Sequence, residues 1–171
     1  MDFLEPGLER WHDFFLLAGT AAATLLGLLF VSVSLKTEII MRGSRTHLRA
    51  MAMSAFDSLL LATVLSLIAL APFSRPRLLG VMLLAVGIVW GVRTLLHVIA
   101  ASRGDASLEA RALRRRLVLP VAACAFIAWS GGEWFAGQRN AGLLLFAATL
   151  WLLITAVRSA WHLLSEVGEA K

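Results

Sequence analysis

The side chains of this sequence that could carry chemistry stand inside long apolar segments. Asp57 lies near the start of one such segment, and the motifs Arg93-Thr-Leu-Leu-His97 and Arg158-Ser-Ala-Trp-His162 lie near the ends of two others. A charge within an apolar segment is rare and is usually paired. We therefore predict that Asp57 pairs with Arg93 or with Arg158, either as a structural link between helices or as a carboxylate that relays ions or protons.

The two Arg-x-x-x-His motifs predict one shared arrangement. Residues four apart lie on the same face of a helix, so each histidine should lie beside its arginine. One interpretation is that both arginines extend toward lipid phosphates. The other is a proton- or anion-sensitive vestibule, because histidine titrates near neutral pH. On either interpretation, Asp57, Arg93, His97, Arg158 and His162 form the predicted intramembrane polar cluster.

The sequence contains no common motif of a catalytic or metal centre. It has no His-Glu-x-x-His, no Gly-x-Ser-x-Gly, no phosphate-binding glycine loop and no Cys-x-x-Cys. The one cysteine, Cys124, excludes an intrachain disulfide. We therefore expect a protein that is not an enzyme and that holds neither a cofactor nor a metal ion.

The elements that must position these side chains are membrane helices. Hydrophobic residues make up 59% of the 171 residues and charged residues 16%, whereas soluble domains are about 45–50% apolar and 25% charged. Crossing about 30 Å of hydrocarbon takes about 20 helical residues. We predict an all-α polytopic bundle forming one domain over residues 1–171, with about five spans at 14–35, 53–73, 78–101, 117–135 and 141–164. Four spans is the main alternative.

The basic residues predict an orientation. With five spans, one side of the membrane holds the first and third connections and the C-terminus. That side carries Lys36, Arg42, Arg45, Arg49, Arg93, Arg103, Arg111, Arg114, Arg115, Arg116, Arg158 and Lys171, against Arg10, Arg75, Arg77 and Arg139 on the other. By the positive-inside rule the basic side is cytoplasmic and the N-terminus lies outside. Short outer turns then make the second and third spans one helical hairpin and the fourth and fifth another.

Two of the predicted spans carry faces of small residues. Gly19, Ala23 and Gly27 recur every four residues in the first, and Gly87 and Gly91 do so in the third. Such faces let helix backbones approach closely in lipid, where apolar burial drives association only weakly. They predict packing within the monomer, a subunit interface or, for the face of the first span, a narrow pore. Ser32 and Ser34, further along the first span, are candidate pore-lining residues.

The first span also carries a resemblance. Phe14-Phe-Leu-Leu-Ala-Gly-Thr-Ala-Ala-Ala-Thr-Leu-Leu-Gly-Leu-Leu-Phe-Val-Ser-Val-Ser-Leu35 resembles the opening helix of small, uncharacterised multi-pass bacterial inner-membrane proteins. Those helices show a Gly-x-x-Ala-Ala core followed by Gly-Leu-x-Phe-Val. The resemblance implies a multi-pass protein of the bacterial plasma membrane, and it implies no reaction and no site residues.

Charge and motif content lead to two functional hypotheses. The net charge of +5 falls mostly between apolar runs, so we expect the bilayer and the anionic headgroups of its cytoplasmic side as partners, and no nucleic acid. The first hypothesis is a non-enzymatic scaffold or regulator that binds a partner membrane protein. The alternative is a homo-oligomeric ion channel or small transporter with a polar cytoplasmic vestibule.

Overall fold

The chain folds into a bundle of long helices. The computed structural model describes residues 11–35, 46–72, 75–102, 108–137 and 141–169. Within them lie α1 (His12–Leu35), α2 (Thr46–Leu70), α3 (Pro76–Ser102), α4 (Leu108–Phe135) and α5 (Ala141–Glu169). The described part of the chain contains no strand, in agreement with the predicted all-α fold.

Four of these helices are long and apolar enough to cross a membrane. The qualifying segments are His12–Leu35, Ala52–Leu70, Arg77–Leu96 and Ala141–His162. They correspond to the predicted first, second, third and fifth spans. The predicted fourth span, 117–135, lies within α4 and is not one of the four. The described helices are therefore compatible with an integral membrane protein, and the count of five spans stays a prediction.

Proline and glycine mark the two short connections. Pro72 follows the end of α2, and Pro76 is the first residue of α3, the position at which a missing backbone N–H costs least. Gly137 follows α4 with a φ of 73°, which glycine adopts without strain. Its N–H donates to the carbonyl of Trp134 at 3.2 Å, and the N–H of Ala136 donates to that of Gly132 at 2.9 Å. These bonds satisfy carbonyls that a helix end leaves without partners.

The helices pack in an order that differs from the order along the chain. α1 packs against α2, α2 against α5, α5 against α4 and α4 against α3. Of the two predicted hairpins, the fourth and fifth helices form a packed pair. The second and third helices are joined by a short turn but contact each other sparsely, and the most extensive contact of α3 is with α4. Small residues on α3 and α4 explain this difference, because their backbones approach more closely than those of α2 and α3.

The core lies between α2 and α5 and extends to the inner faces of the other three helices. Alanine and leucine dominate it. Its largest fully buried side chains are Phe15, Leu59, Leu61, Leu65, Leu83, Ile127, Leu145 and Leu152. Four hydroxyl residues are buried beside them, and three of these donate a hydrogen bond within the described residues: Ser66 to Ala62 O, Ser130 to Ala141 O and Thr149 to Leu145 O. The interior between the described helices is therefore closely packed, and its unsatisfied polar side-chain atoms among the described residues are the buried indole nitrogens of Trp90 and Trp134.

The helix α4 begins earlier than its predicted span. It starts at Leu108 and continues through Pro120 to Phe135. The basic segment from Arg111 to Arg116 thus belongs to the same helix as the apolar segment that follows it.

Candidate functional site

An ion pair links α2 to α3 where the two helices otherwise touch little. Nη2 of Arg93 donates to Oδ1 of Asp57 at 2.8 Å and to Oδ2 at 3.1 Å. The side chain of Asp57 is 24% exposed and that of Arg93 is 50% exposed. The structure thus forms the first of the two pairs predicted for Asp57. The pair lies at the edge of the core rather than within it.

Trp90 flanks this ion pair from the same helix. The guanidinium carbon of Arg93 lies 6.0 Å from the centroid of the Trp90 ring, at the outer limit of a cation–π contact. The hydroxyl of Thr94 donates to the carbonyl of Trp90 at 2.8 Å. The indole N–H of Trp90 is buried and has no acceptor among the described residues. Trp90 therefore joins the ion pair to the core through its ring rather than through a hydrogen bond.

The other predicted members of the polar cluster lie apart from this pair. Arg158 and His162 are exposed near the end of α5, and α5 makes at most marginal contact with α3. Asp57 is bonded to Arg93 and not to Arg158. The side chain of His97 falls outside the described residues. The described structure thus brings together two of the five predicted residues.

The small residues of α3 lie at its contact with α4. A Cβ built on Gly87 would lie 2.8 Å from the backbone nitrogen of Ala128, and one on Gly91 would lie 3.5 Å from Cβ of Cys124. Gly87 and Gly91 therefore pack within the monomer, which is one of the two roles predicted for them.

Sequence reasoning missed two further glycines of the same interface. A Cβ on Gly80 would lie 2.9 Å from the carbonyl oxygen of Gly131, and one on Gly131 would lie 2.7 Å from the backbone nitrogen of Leu84. The contact residues Gly80, Leu84, Gly87 and Gly91 on α3 and Cys124, Ala128, Gly131 and Phe135 on α4 follow the same spacing of four, three and four. This shared spacing is visible in the sequence and could have indicated that α3 and α4 pack against each other.

The predicted small face of α1 divides between two environments. A Cβ on Gly19 would lie 2.8 Å from Cβ of Ser66, so Gly19 lies at the contact with α2. Ala23 is exposed, and nothing lies within 4 Å of a Cβ built on Gly27. The buried face of α1 consists instead of Phe15, Ala18, Ala22 and Leu29. Two of the three residues of the predicted face are thus turned away from the bundle.

The two candidate pore-lining serines lie in the last turn of α1. The hydroxyl of Ser32 donates to the carbonyl of Leu28 in the preceding turn at 2.8 Å. Ser34 is exposed and Ser32 is partly buried. Thr20 and Thr24 make the same kind of bond, to Leu16 and Thr20. A hydroxyl that donates to its own helix leaves no donor unpaired in lipid.

Two contacts of α5 were also missed. The buried hydroxyl of Ser130 donates to the carbonyl of Ala141 at 2.8 Å and joins α4 to α5. The rings of Trp11 and Phe14 lie 4.6 and 4.4 Å from that of Phe146 and join α1 to α5. Trp11 and Phe14 are far from Phe146 along the chain, and no pattern in the sequence pairs them; Ser130 and Ala141 lie on either side of a short connection.

The arrangement is suited to electrostatic binding. A half-exposed guanidinium held by a carboxylate can bind an anion or orient a helix. Within the described residues, no group of three or more His, Cys, Asp or Glu side chains could hold a metal ion. Comparison of the chain with protein-family models, with curated proteins and with solved structures finds no match, so functional interpretation depends on this geometry.

Proposed function

We propose that this protein is a non-enzymatic scaffold or regulator in a membrane, and that it binds a partner membrane protein through α1. The observation that carries the proposal is the uncovered face of α1. Ala23 and Gly27 are exposed there beside Thr20 and Thr24, whose hydroxyls bond within the helix. A face of this kind lets a second helix approach closely without leaving a polar group unsatisfied.

The packing of the bundle also supports association over transport. Glycine contacts close the space between α3 and α4, and leucine and alanine fill the space around α2 and α5. The one ion pair of the described residues, Asp57–Arg93, lies at the edge of this core. A protein with this interior is suited to present a surface to another membrane protein.

The structure offers a matched set of variants for the test. Gly27→Leu places a large side chain on the uncovered face. It should leave the fold intact, because nothing lies within 4 Å of the Cβ position of Gly27. Leu28→Phe changes the neighbouring residue, which is 60% exposed and points about 100° away around the helix. A photoreactive residue in place of Ala23 would mark the partner, either a different membrane protein or a second copy of the chain.

The expected result is a saturable crosslink from position 23 that Gly27→Leu abolishes and Leu28→Phe preserves. A crosslink that is equally strong in both variants would contradict the proposed role of the α1 face. The channel alternative is tested by the flux of protons and halide in liposomes, with Asp57→Asn and His97→Ala as comparisons. Flux that these substitutions change would replace the scaffold proposal with the channel.

We also propose five spans with the N-terminus outside, in a bacterial inner membrane. The support is the concentration of basic residues between the first and second spans and between the third and fourth. Reporter fusions after residue 45, residue 107 and Lys171 should all report the cytoplasm, and a fusion after Ser74 should report the outside. A cytoplasmic signal from the fusion after Ser74 would exclude this topology.

A further inference from the structure

We propose that α3 carries a binding site for an anionic phospholipid, with the phosphate on Arg93 and one acyl chain along the adjacent outer face of the helix. This inference depends on α3 spanning the membrane and is independent of the proposed association through α1. It concerns a surface that the bundle leaves uncovered, because α3 packs extensively only against α4.

The first observation is the unused hydrogen-bonding capacity of Arg93. Arginine has five N–H donors, and Asp57 accepts only from Nη2. Asp57 is the only acceptor that the described residues place on this guanidinium. The donors of Nε and Nη1 therefore remain for another group, and half of the side chain is exposed to receive it. Phosphate oxygens match the planar geometry of these donors.

The second observation is the shape of the surface beside Arg93. Ile88, Val89, Val92 and Leu96 form with Arg93 a shallow, open depression of about 390 Å³. Each of these four apolar side chains is more than half exposed. The depression runs from Leu96 past Arg93 to Ile88, so that most of its length lies between Arg93 and the middle of the span. It therefore matches an amphiphile whose anionic group lies at Arg93 and whose acyl chain follows the helix inward.

The third observation is that Arg93 is held in place. Its bond to Asp57 and its position near the Trp90 ring restrict a side chain that otherwise has many rotamers. A guanidinium that is already oriented loses less conformational entropy when it binds an anion. Arg158 is also exposed near the end of an apolar helix, but the described residues place no carboxylate on it. Arg158 is therefore the natural control.

The charge balance favours an anionic lipid over a zwitterionic one. Asp57 neutralises one side of the guanidinium and repels anions from that side, so a phosphate must approach the exposed donors. The headgroup of a zwitterionic lipid brings its own cation close to the arginine, and the two positive charges repel each other. The headgroup of an anionic lipid brings no such cation. An unpaired arginine near the surface contributes about 1 kcal/mol toward an anionic lipid, and because Asp57 offsets part of the charge of Arg93, the corresponding roughly fivefold preference is an upper limit here.

The test is native mass spectrometry of the full chain with phosphatidylglycerol and phosphatidylcholine of identical acyl chains. We expect the wild type to retain more phosphatidylglycerol than phosphatidylcholine, by up to roughly fivefold. Arg93→Leu should remove this preference, and Arg158→Leu should preserve it. Since Arg93→Leu leaves Asp57 without its partner and could unfold the chain, Val89→Trp provides a second variant. It fills the depression, retains both charges and should also remove the preference.

Three results would overturn the site. The first is an equal loss of preference in Arg158→Leu and Arg93→Leu, which would indicate general surface charge. The second is an unchanged preference in Val89→Trp, which would show that the depression is not occupied. The third is a crosslink from a photoreactive residue at position 92 to a polypeptide rather than to lipid, which would show that a helix of another protein covers this face.

Discussion

A single nitrogen of Arg93 donates to both carboxylate oxygens of Asp57, at 2.8 and 3.1 Å, and this is the one described ion pair between helices. It joins two helices that share few other contacts, although they are neighbours along the chain. Its stabilising effect should therefore depend on the two charges and little on surrounding packing.

The ion pair predicts that exchanging the charges restores stability. Asp57→Ala and Arg93→Ala should each lower the free energy of unfolding, because each leaves a charge unpaired at membrane depth. The double variant Asp57→Arg/Arg93→Asp should recover part of the loss. Coupling energies between polar groups on membrane helices are about 0.6–1.7 kcal/mol. A double-mutant cycle in micelles measures this coupling, and a value near zero would mean that the two residues act independently.

The α3–α4 contact predicts opposite effects at two adjacent glycines. Gly131→Ala would place Cβ 2.7 Å from the backbone nitrogen of Leu84, whereas nothing lies within 4 Å of the same atom on Gly132. Forcing one carbon into a close contact costs about 1–3 kcal/mol, and replacing a helical glycine by alanine otherwise gains up to about 1 kcal/mol.

We therefore expect Gly131→Ala to lower thermal stability and Gly132→Ala to maintain or raise it. Because the two residues are neighbours in the same helix, helix propensity alone predicts equal effects. Equal shifts in the unfolding temperature of the two variants would argue against the close approach of α3 and α4.

The position of Cys124 predicts an engineered disulfide. A Cβ on Gly91 would lie 3.5 Å from Cβ of Cys124, which is at the short end of the range for disulfides, about 3.5–4.5 Å. Gly91→Cys should therefore form an intramolecular bond with the native cysteine after treatment with a membrane-permeant oxidant. Free thiols counted with a maleimide should fall from two to none in each chain.

Gly27→Cys is the control for this disulfide. Its Cβ position has no neighbour within 4 Å, so both thiols should stay free after the same treatment unless two chains link through position 27. If Gly91→Cys retained two free thiols under conditions that oxidise exposed pairs, the register of α3 against α4 would differ from the one described.

The bond between α4 and α5 predicts a specific cost for losing one hydroxyl. Ser130 is fully buried and donates to the carbonyl of Ala141 on the next helix. The hydroxyl of Thr63 is also bonded, but its acceptor is Leu59 of the same helix. Ser130→Ala should lower the free energy of unfolding by about 0.6–1.7 kcal/mol. Thr63→Val should change it less, and a similar loss in both variants would remove the special role of the interhelical bond.

Part of the candidate site could be inferred from the sequence. An aspartate within an apolar run predicts a basic partner because an unpaired charge in lipid is costly, and only a few arginines lie at a comparable depth. The choice between Arg93 and Arg158 depends on which helix lies beside α2 at that level. Such a choice is made by the packing of helices far apart in the chain, which no local pattern records.

The sequence by itself determined that the chain forms apolar helices, because hydropathy and helix length are local properties and the thickness of the bilayer sets the length that an apolar helix needs. Only the tertiary structure decided which helices become neighbours and which face of each is covered. Gly19, Ala23 and Gly27 have the same spacing, yet Gly19 contacts Ser66 while a Cβ on Gly27 would meet nothing. The physical reason is that a small residue permits close approach but does not select a partner, and the shapes of the surrounding helices make that selection.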